Sequence, residues 1–186
     1  MSTNIKIIIL NGAGSAGKGS IAKALQAVTN EPFLHVQMDT FIAMLPEAYS
    51  NHPDGFSYQT VDDDDGNPVV VIKAGPIGER ALRGMRHAIA AMADQGNNLI
   101  VDDVMLEGEA AEYIKLLAKF DVFFVGVFAP LNVLETRERQ RADRMIGLAR
   151  WQYDRVHRNM KYDLEVDTSC ATSMECANLI KETFRL

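Results

Sequence analysis

Four glycines and a lysine crowd into nine residues near the start of the chain, Gly12-Ala13-Gly14-Ser15-Ala16-Gly17-Lys18-Gly19-Ser20, directly after the apolar run Ile5 to Leu10. Glycine at this density lets the backbone turn inward, so that successive N–H groups point at one centre. A helix beginning at the same place adds the positive end of its dipole. That is chemistry for holding phosphate. Lys18 supplies a mobile cation able to reach the β- and γ-phosphates of a nucleoside triphosphate, and strand, glycine turn, lysine and helix in this order are the context of a P-loop. Ile21, Ala22, Leu25 and Val28 give the following helix its apolar face. Residues 12–20 are therefore the expected ATP cradle.

The rest of a phosphoryl-transfer site needs a metal ligand, a group to orient the acceptor and cations over the transferring phosphoryl. The residue after a P-loop lysine is usually Ser or Thr, offering a hydroxyl to Mg²⁺. Here Gly19 stands in that place and Ser20 follows, a variant resembling the Gly-Lys-Gly-Thr of adenylate kinases, with Ser20 as the candidate ligand. Asp102 and Asp103 end the apolar run Leu99 to Val101 as a Walker B acid does, where one acid holds Mg²⁺ through water. Adjacent strand residues face opposite ways, so one of the two serves the metal and the other caps the next segment. Asp39 ends a second apolar stretch. It is either the carboxylate that orients an acceptor hydroxyl and takes its proton or an N-cap for a helix at Phe41. Arg137, Arg141 and Arg144 lie at i, i+4 and i+7, along one face if the segment is helical. Guanidinium forks on a closing lid neutralise a transferring phosphoryl and expel water, whereas a plain surface helix would spend them on ion pairs. His35, His52, His87 and His157 have no metal spacing and read as structural or surface residues.

These residues need elements to place them. Strands are expected at Ile5–Leu10, Phe33–Met38, Leu99–Asp103 and Val122–Phe128, the last the most hydrophobic and hence the expected centre of the sheet, with an edge strand at Asp163–Asp167. Helices are expected after the P-loop, briefly from Phe41 to Pro46, from Gly75-Pro76 to Gly96, from Gly108 to Ala118, and as one long stretch from Pro130 to about Asn159. Thr172-Ser-Met-Glu175 is a capping box opening the last helix. Alternating strands and helices give a three-layer α/β fold, a five-stranded parallel sheet covered on both faces, with ligands at the carboxyl ends of the strands. Between Pro46 and Ala74 two short alternating pieces flank Asp65-Gly66, a hairpin signal. An insert of this kind in a compact domain is often a binding loop. The acidic run Asp62 to Asp65 reads as a solvated turn, not a metal site.

Composition bounds the function. At 186 residues one domain is expected, and a net charge of −6 argues against a nucleic-acid-binding body. Nothing approaches the ~18 continuous apolar residues of a membrane span. The start lacks signal-peptide architecture, and Cys170 and Cys176 form no metal or redox motif. A cytoplasmic enzyme is expected.

Taken together, the P-loop with its preceding Ile9-Leu10-Asn11, Asp39, Gly75-Pro76 with Arg80-Ala-Leu, Ile100-Val-Asp-Asp-Val, the arginine segment through Arg144 and Gly147, and His157 with Tyr162-Asp-Leu-Glu-Val-Asp-Thr168 span almost the whole chain. In this order they resemble the chloramphenicol phosphotransferase-like P-loop kinases. The resemblance implies transfer of the γ-phosphoryl of ATP to the primary hydroxyl of chloramphenicol, with Asp39 as base and Arg141 and Arg144 near the phosphates. Lys18 at the phosphoryl, Arg137 at the nucleotide and an arginine-bearing helical lid over residues 130–159 are expected beside it. The chain departs from that family at Gly19-Ser20 and from Pro46 to Ile72, the expected acceptor pocket. Phe41, Met44, Leu45, Tyr49, Phe56 and Tyr58 supply apolar surface there, and no Lys or Arg occurs between Asp39 and Ile72. A small neutral alcohol of the chloramphenicol kind is therefore the expected acceptor. The alternatives are a small-metabolite or nucleotide kinase on the same scaffold and an ATP-binding regulator without transfer. A pure sensor has no need of a base at Asp39.

Overall fold

Ile7, Ile8, Ile9 and Leu10 are all fully buried, which an extended chain achieves only with a layer on each of its faces. The computed structural model of the chain describes residues 4–106, 108–141 and 145–186. Its elements run β1 (Lys6–Asn11), α1 (Lys18–Val28), β2 (Phe33–Gln37), α2 (Met38–Ile42), a single 3-10 turn at Glu47–Tyr49, β3 (Phe56–Asp62), β4 (Pro68–Ala74), α3 (Pro76–Asp94) and β5 (Asn98–Asp103). They continue with α4 (Glu109–Leu116), β6 (Asp121–Phe128), α5 (Leu131–Arg139), α6 (Leu148–Tyr153), β7 (Leu164–Asp167) and α7 (Ser173–Phe184).

Five strands form one sheet in the order β2-β5-β1-β6-β7, and every pairing in it is parallel. Alternate residues of β1 enter different cores. Ile8 and Leu10 pack with Ile21 and Leu25 of α1 and Ile180 of α7. Ile7 and Ile9 pack with Met85 and Ile89 of α3 and Tyr113 of α4. The three-layer α/β fold expected from the sequence is the fold observed. The capping box also forms, with Thr172 Oγ1 accepting from Glu175 N at 3.2 Å and Glu175 Oε2 accepting from Thr172 N at 2.7 Å.

Three expectations are corrected. The short helix expected from Phe41 to Pro46 is α2, Met38–Ile42, so Asp39 lies inside it and not ahead of it. β1, not β6, holds the middle of the sheet. An apolar run records that a strand has neighbours and covered faces, which holds for every inner strand of a parallel sheet. The long helix from Pro130 to Asn159 is two helices, because α5 stops at Arg139 and α6 opens at Gly147, whose φ of +99° is left-handed. Buried Glu138 fixes that break, its carboxylate accepting from Gly147 N and Ala149 N, each at 2.8 Å. Arg137 and Arg141 consequently do not share one helical face, and Arg144 lies outside the described residues.

The β3–β4 hairpin stands apart from the main sheet and docks on the start of α6. Val70 N donates to Gly147 O at 3.0 Å, and Arg150 bonds Asp63 Oδ2 at 3.0 Å and Glu135 Oε1 at 2.5 Å. The run Asp62–Asp65 does contain the hairpin turn, yet Asp63 is not merely solvated. It accepts from the backbone N–H groups of Asn67 and Asp65, and these bonds, led by that of Asn67, hold its carboxyl below the usual carboxylate range.

Candidate active site

The carboxyl ends of β1, β5 and β2 converge on one cavity of about 620 Å³. On its floor Gly17, with φ of +96°, turns the chain from the loop into α1, a conformation that glycine adopts without steric cost. Lys18 is only 6 % exposed. Its ammonium bends back over the loop, donating to Gly12 O at 2.8 Å and Ala13 O at 3.1 Å, and stands 3.6 Å from Asp102 Oδ1.

Asp102 and Asp103 separate as strand alternation requires. Asp102 lines the cavity. Asp103 is 4 % exposed and spends its carboxylate on Tyr113 Oη at 2.7 Å and Val104 N at 2.8 Å. Burial pushes the Asp103 carboxyl up, and burial together with the Asp103 charge pushes up the Tyr113 hydroxyl. Asp103 is absent from the cavity lining, so of the two candidate metal ligands only Asp102 faces the phosphate loop.

The metal position can be tested on Gly19. A Cβ at residue 19 would lie 3.3 Å from Asp102 Oδ2 and 3.6 Å from Gln37 Nε2. A side chain at this position would press on the Asp102 carboxylate, so glycine is what lets that carboxylate stand close against the loop. Ser20 is exposed on the same wall. One carboxylate, one hydroxyl and open volume suit Mg²⁺, which keeps several waters and takes few protein ligands when it accompanies phosphates. Among the described residues no three His, Cys, Asp or Glu side chains form a metal cage.

Asp39 lies in the first turn of α2, whose N-cap is Gln37 with no side-chain capping bond. It lines the cavity beside Tyr58 of β3. Burial first, and the Asp39 charge second, raise the Tyr58 hydroxyl above its ordinary value. Arg141 lines the cavity as well, while Arg137 turns away from it. Its guanidinium donates to Thr168 Oγ1 and Thr168 O, both at 2.8 Å, and Thr168 Oγ1 donates in turn to Ala16 O at 2.8 Å. Arg137 and Thr168 thus brace the far limb of the loop.

Of the apolar residues expected to wall the acceptor pocket, Tyr58 alone reaches the cavity. Phe56, the first residue of β3, is buried, Phe41 packs into the core and Met44 is 66 % exposed. The apolar lining comes instead from Met38 and Ile42 of α2, Ile72 of β4, Val104, Met145 and Leu148. Two lining residues went unread in the sequence, and a flanking histidine expected to be structural or at the surface faces the site. Lys23 reaches the wall from α1, and Gln152 from α6. His35 faces Asp102 with Nε2 4.0 Å from Oδ2, and burial lowers its pKa. Thr168 had a local signal, a hydroxyl just past a strand's carboxyl end. Gln152 had none.

The family model described as chloramphenicol phosphotransferase-like protein matches residues 5–185. The chain belongs to the chloramphenicol phosphotransferase-like family. A Mycobacterium tuberculosis protein, present in two strains and carrying the provisional name O-phosphotransferase, is 31 % identical to this family member over 97 % of the chain and 82 % of its own length. Two solved structures share the fold. A sugar kinase from a Janibacter species superposes with a TM-score of 0.67 at 17 % identity, covering 98 % of this chain and 95 % of its own. The M. tuberculosis APS kinase, solved with AMPPNP and APS, gives 0.65 at 16 % identity and covers 98 % and 99 %. This chloramphenicol phosphotransferase-like protein is thus a phosphotransferase of the P-loop kinase type, and its fold is that of nucleotide-using kinases. Among the described residues no helix is long and apolar enough to cross a membrane.

Proposed function

We propose that the protein transfers the γ-phosphoryl of ATP to a hydroxyl of a small, largely apolar acceptor of the chloramphenicol kind, seated between α2 and the β3–β4 hairpin. One observation carries this reading: Lys18, Asp102 and Asp39 line a single cavity whose outer wall is built from α2 and the hairpin. ATP supplies the phosphoryl group, and Mg²⁺ neutralises charge on its oxygens. The loop N–H groups and Lys18 would bind the β- and γ-oxygens. Asp102, with Ser20, would hold the metal. Asp39 would accept the acceptor's hydroxyl proton at its carboxylate, aligning the oxygen for attack. Arg141 would neutralise the phosphoryl in transit. Arg144, outside the described residues, has the same role by family resemblance. Most of the rate gain is then positioning and electrostatics, and little of it covalent chemistry by the protein.

Met38, Ile42, Ile72, Met145 and Leu148 on the wall support an apolar acceptor. Lys23 on the same wall favours a second reading, a kinase for an acidic small metabolite. A coupled ADP-release assay decides between them, run with chloramphenicol, shikimate and a nucleoside monophosphate at matched concentrations. The Lys18→Ala protein serves as the blank. Turnover with chloramphenicol that vanishes in the folded Lys18→Ala protein is the expected result. Turnover with either anion and none with chloramphenicol overturns the acceptor, and unchanged turnover in Lys18→Ala overturns the phosphotransferase site itself.

A further inference from the structure

Gln152 takes no part in the mechanism above, yet it bonds the phosphate loop directly. Its Oε1 accepts from Gly14 N at 2.6 Å. Gln152 is 4 % exposed and still lines the cavity with Lys18, Asp102 and Arg141. A backbone N–H can only donate, so this bond fixes the carboxamide with Oε1 on the loop and leaves the Nε2 donors as its other end.

The end of the loop where this occurs is defined by Lys18. Gly14 follows Gly12 and Ala13, whose carbonyls hold the Lys18 ammonium, itself 3.6 Å from Asp102. The carbonyls of Ser15 and Ala16 face Arg137 and Thr168 instead. Gly14 and Gln152 therefore sit at the end where lysine and metal-binding acid meet, the end of the terminal phosphoryl. The helix bearing Gln152 is fixed as well, through Glu138 on the N–H groups of Gly147 and Ala149 and through Arg150 on Asp63 and Glu135. A donor held this rigidly costs little ordering when it binds.

We propose that Gln152 recognises the terminal phosphoryl group: Oε1 anchors the amide to Gly14 N–H, and Nε2 donates to a γ-phosphoryl oxygen. The proposal rests on the phosphotransferase reading and makes Gln152 a discriminator of triphosphate from diphosphate. Gln152→Glu tests it, because a carboxylate still accepts from Gly14 N–H while the donor end becomes an anionic oxygen. Titration calorimetry with Mg²⁺ and either AMPPNP or ADP reads the result. Loss of a charge-assisted bond should weaken AMPPNP binding roughly 10²-fold and ADP binding less than about 3-fold. Should Gln152→Glu fail to fold, Gln152→Met, similar in length and without a donor, carries the same expectation at about 10-fold for AMPPNP. Equal weakening of both nucleotides, or of neither, overturns the proposal and leaves Gln152 a brace for the loop. Failure of the wild-type protein to bind either nucleotide overturns the phosphotransferase reading instead.

Discussion

Adjacent acids on one strand have been given different tasks by nothing more than the alternation of the backbone. Asp102 meets Lys18 and the phosphate loop, whereas Asp103 is buried against Tyr113. Asp39 shows the same discrimination between chemistry and scaffolding. Its helix has Gln37 at the N-cap and no side-chain capping bond, so the carboxylate is not needed to start α2. To the helix it adds a charge in the first turn, worth about 0.3–1 kcal/mol. Asp39→Asn should therefore leave the melting temperature close to wild type. It should lower kcat by roughly 10²-fold or more, the scale of a lost general base. Steady-state kinetics beside a thermal melt checks both halves, and a stability loss without a kinetic one would return Asp39 to the scaffold.

At the scale of elements, α6 is short, six residues from Leu148 to Tyr153, far below the length at which a helix persists by itself. It exists because Glu138, 1 % exposed, caps its first N–H groups from α5. Glu138→Ala would leave two buried donors without partners, at about 1–3 kcal/mol each. For a chain of this size the expected fall in melting temperature is on the order of 5–15 °C. Because Gln152 rides on the same helix, Glu138→Ala should also weaken nucleotide binding. Calorimetric melting with a nucleotide titration measures both. A stable variant with unaltered nucleotide binding would show that α6 is held without Glu138, by Arg150 and the hairpin.

For the molecule as a whole, acid stability turns on a network at the top of the sheet. Asn11, fully buried, donates to Tyr162 Oη at 2.8 Å and to Val156 O at 2.8 Å. Tyr162 Oη also pairs with His157 Nδ1 at 2.7 Å. His157 also stacks on Phe128 with ring centroids 3.8 Å apart. Burial, and secondarily the charge of Lys18, depress its pKa from 6.5 to about 4. Between these values the unfolded chain binds the proton and the folded chain does not. The stabilisation is complete above pH 6.5 and drains away as the pH falls towards 4. The buried Asp103 carboxyl, raised in the fold, acts in the opposite sense, so a difference measurement is needed. His157→Phe keeps the ring stack and removes the titration. Its melting temperature should fall less than that of wild type over this window, and parallel pH curves would remove His157 from the account.

What the chain declares by itself is what neighbours in sequence decide. Glycines ahead of Lys18 make a phosphate loop because turn, lysine and helix are contiguous, and the apolar runs Ile7–Leu10 and Leu99–Val101 demand helices on both faces wherever the strands sit. The capping box at Thr172 and the hairpin at Asp65-Gly66 are equally local, and each formed. Strand order was not legible, since inner strands of a parallel sheet are alike in composition and only their packing ranks them. Nor was the wall of the cavity. Of the aromatic residues of the insert only Tyr58 lines it, while Leu148 and Gln152 arrive from a helix far away along the chain. The Gly14–Gln152 bond spans 138 residues. It arises because Glu138 and Arg150 seat a helix too short to form alone, and a contact that depends on such docking leaves no periodicity and no motif in the sequence.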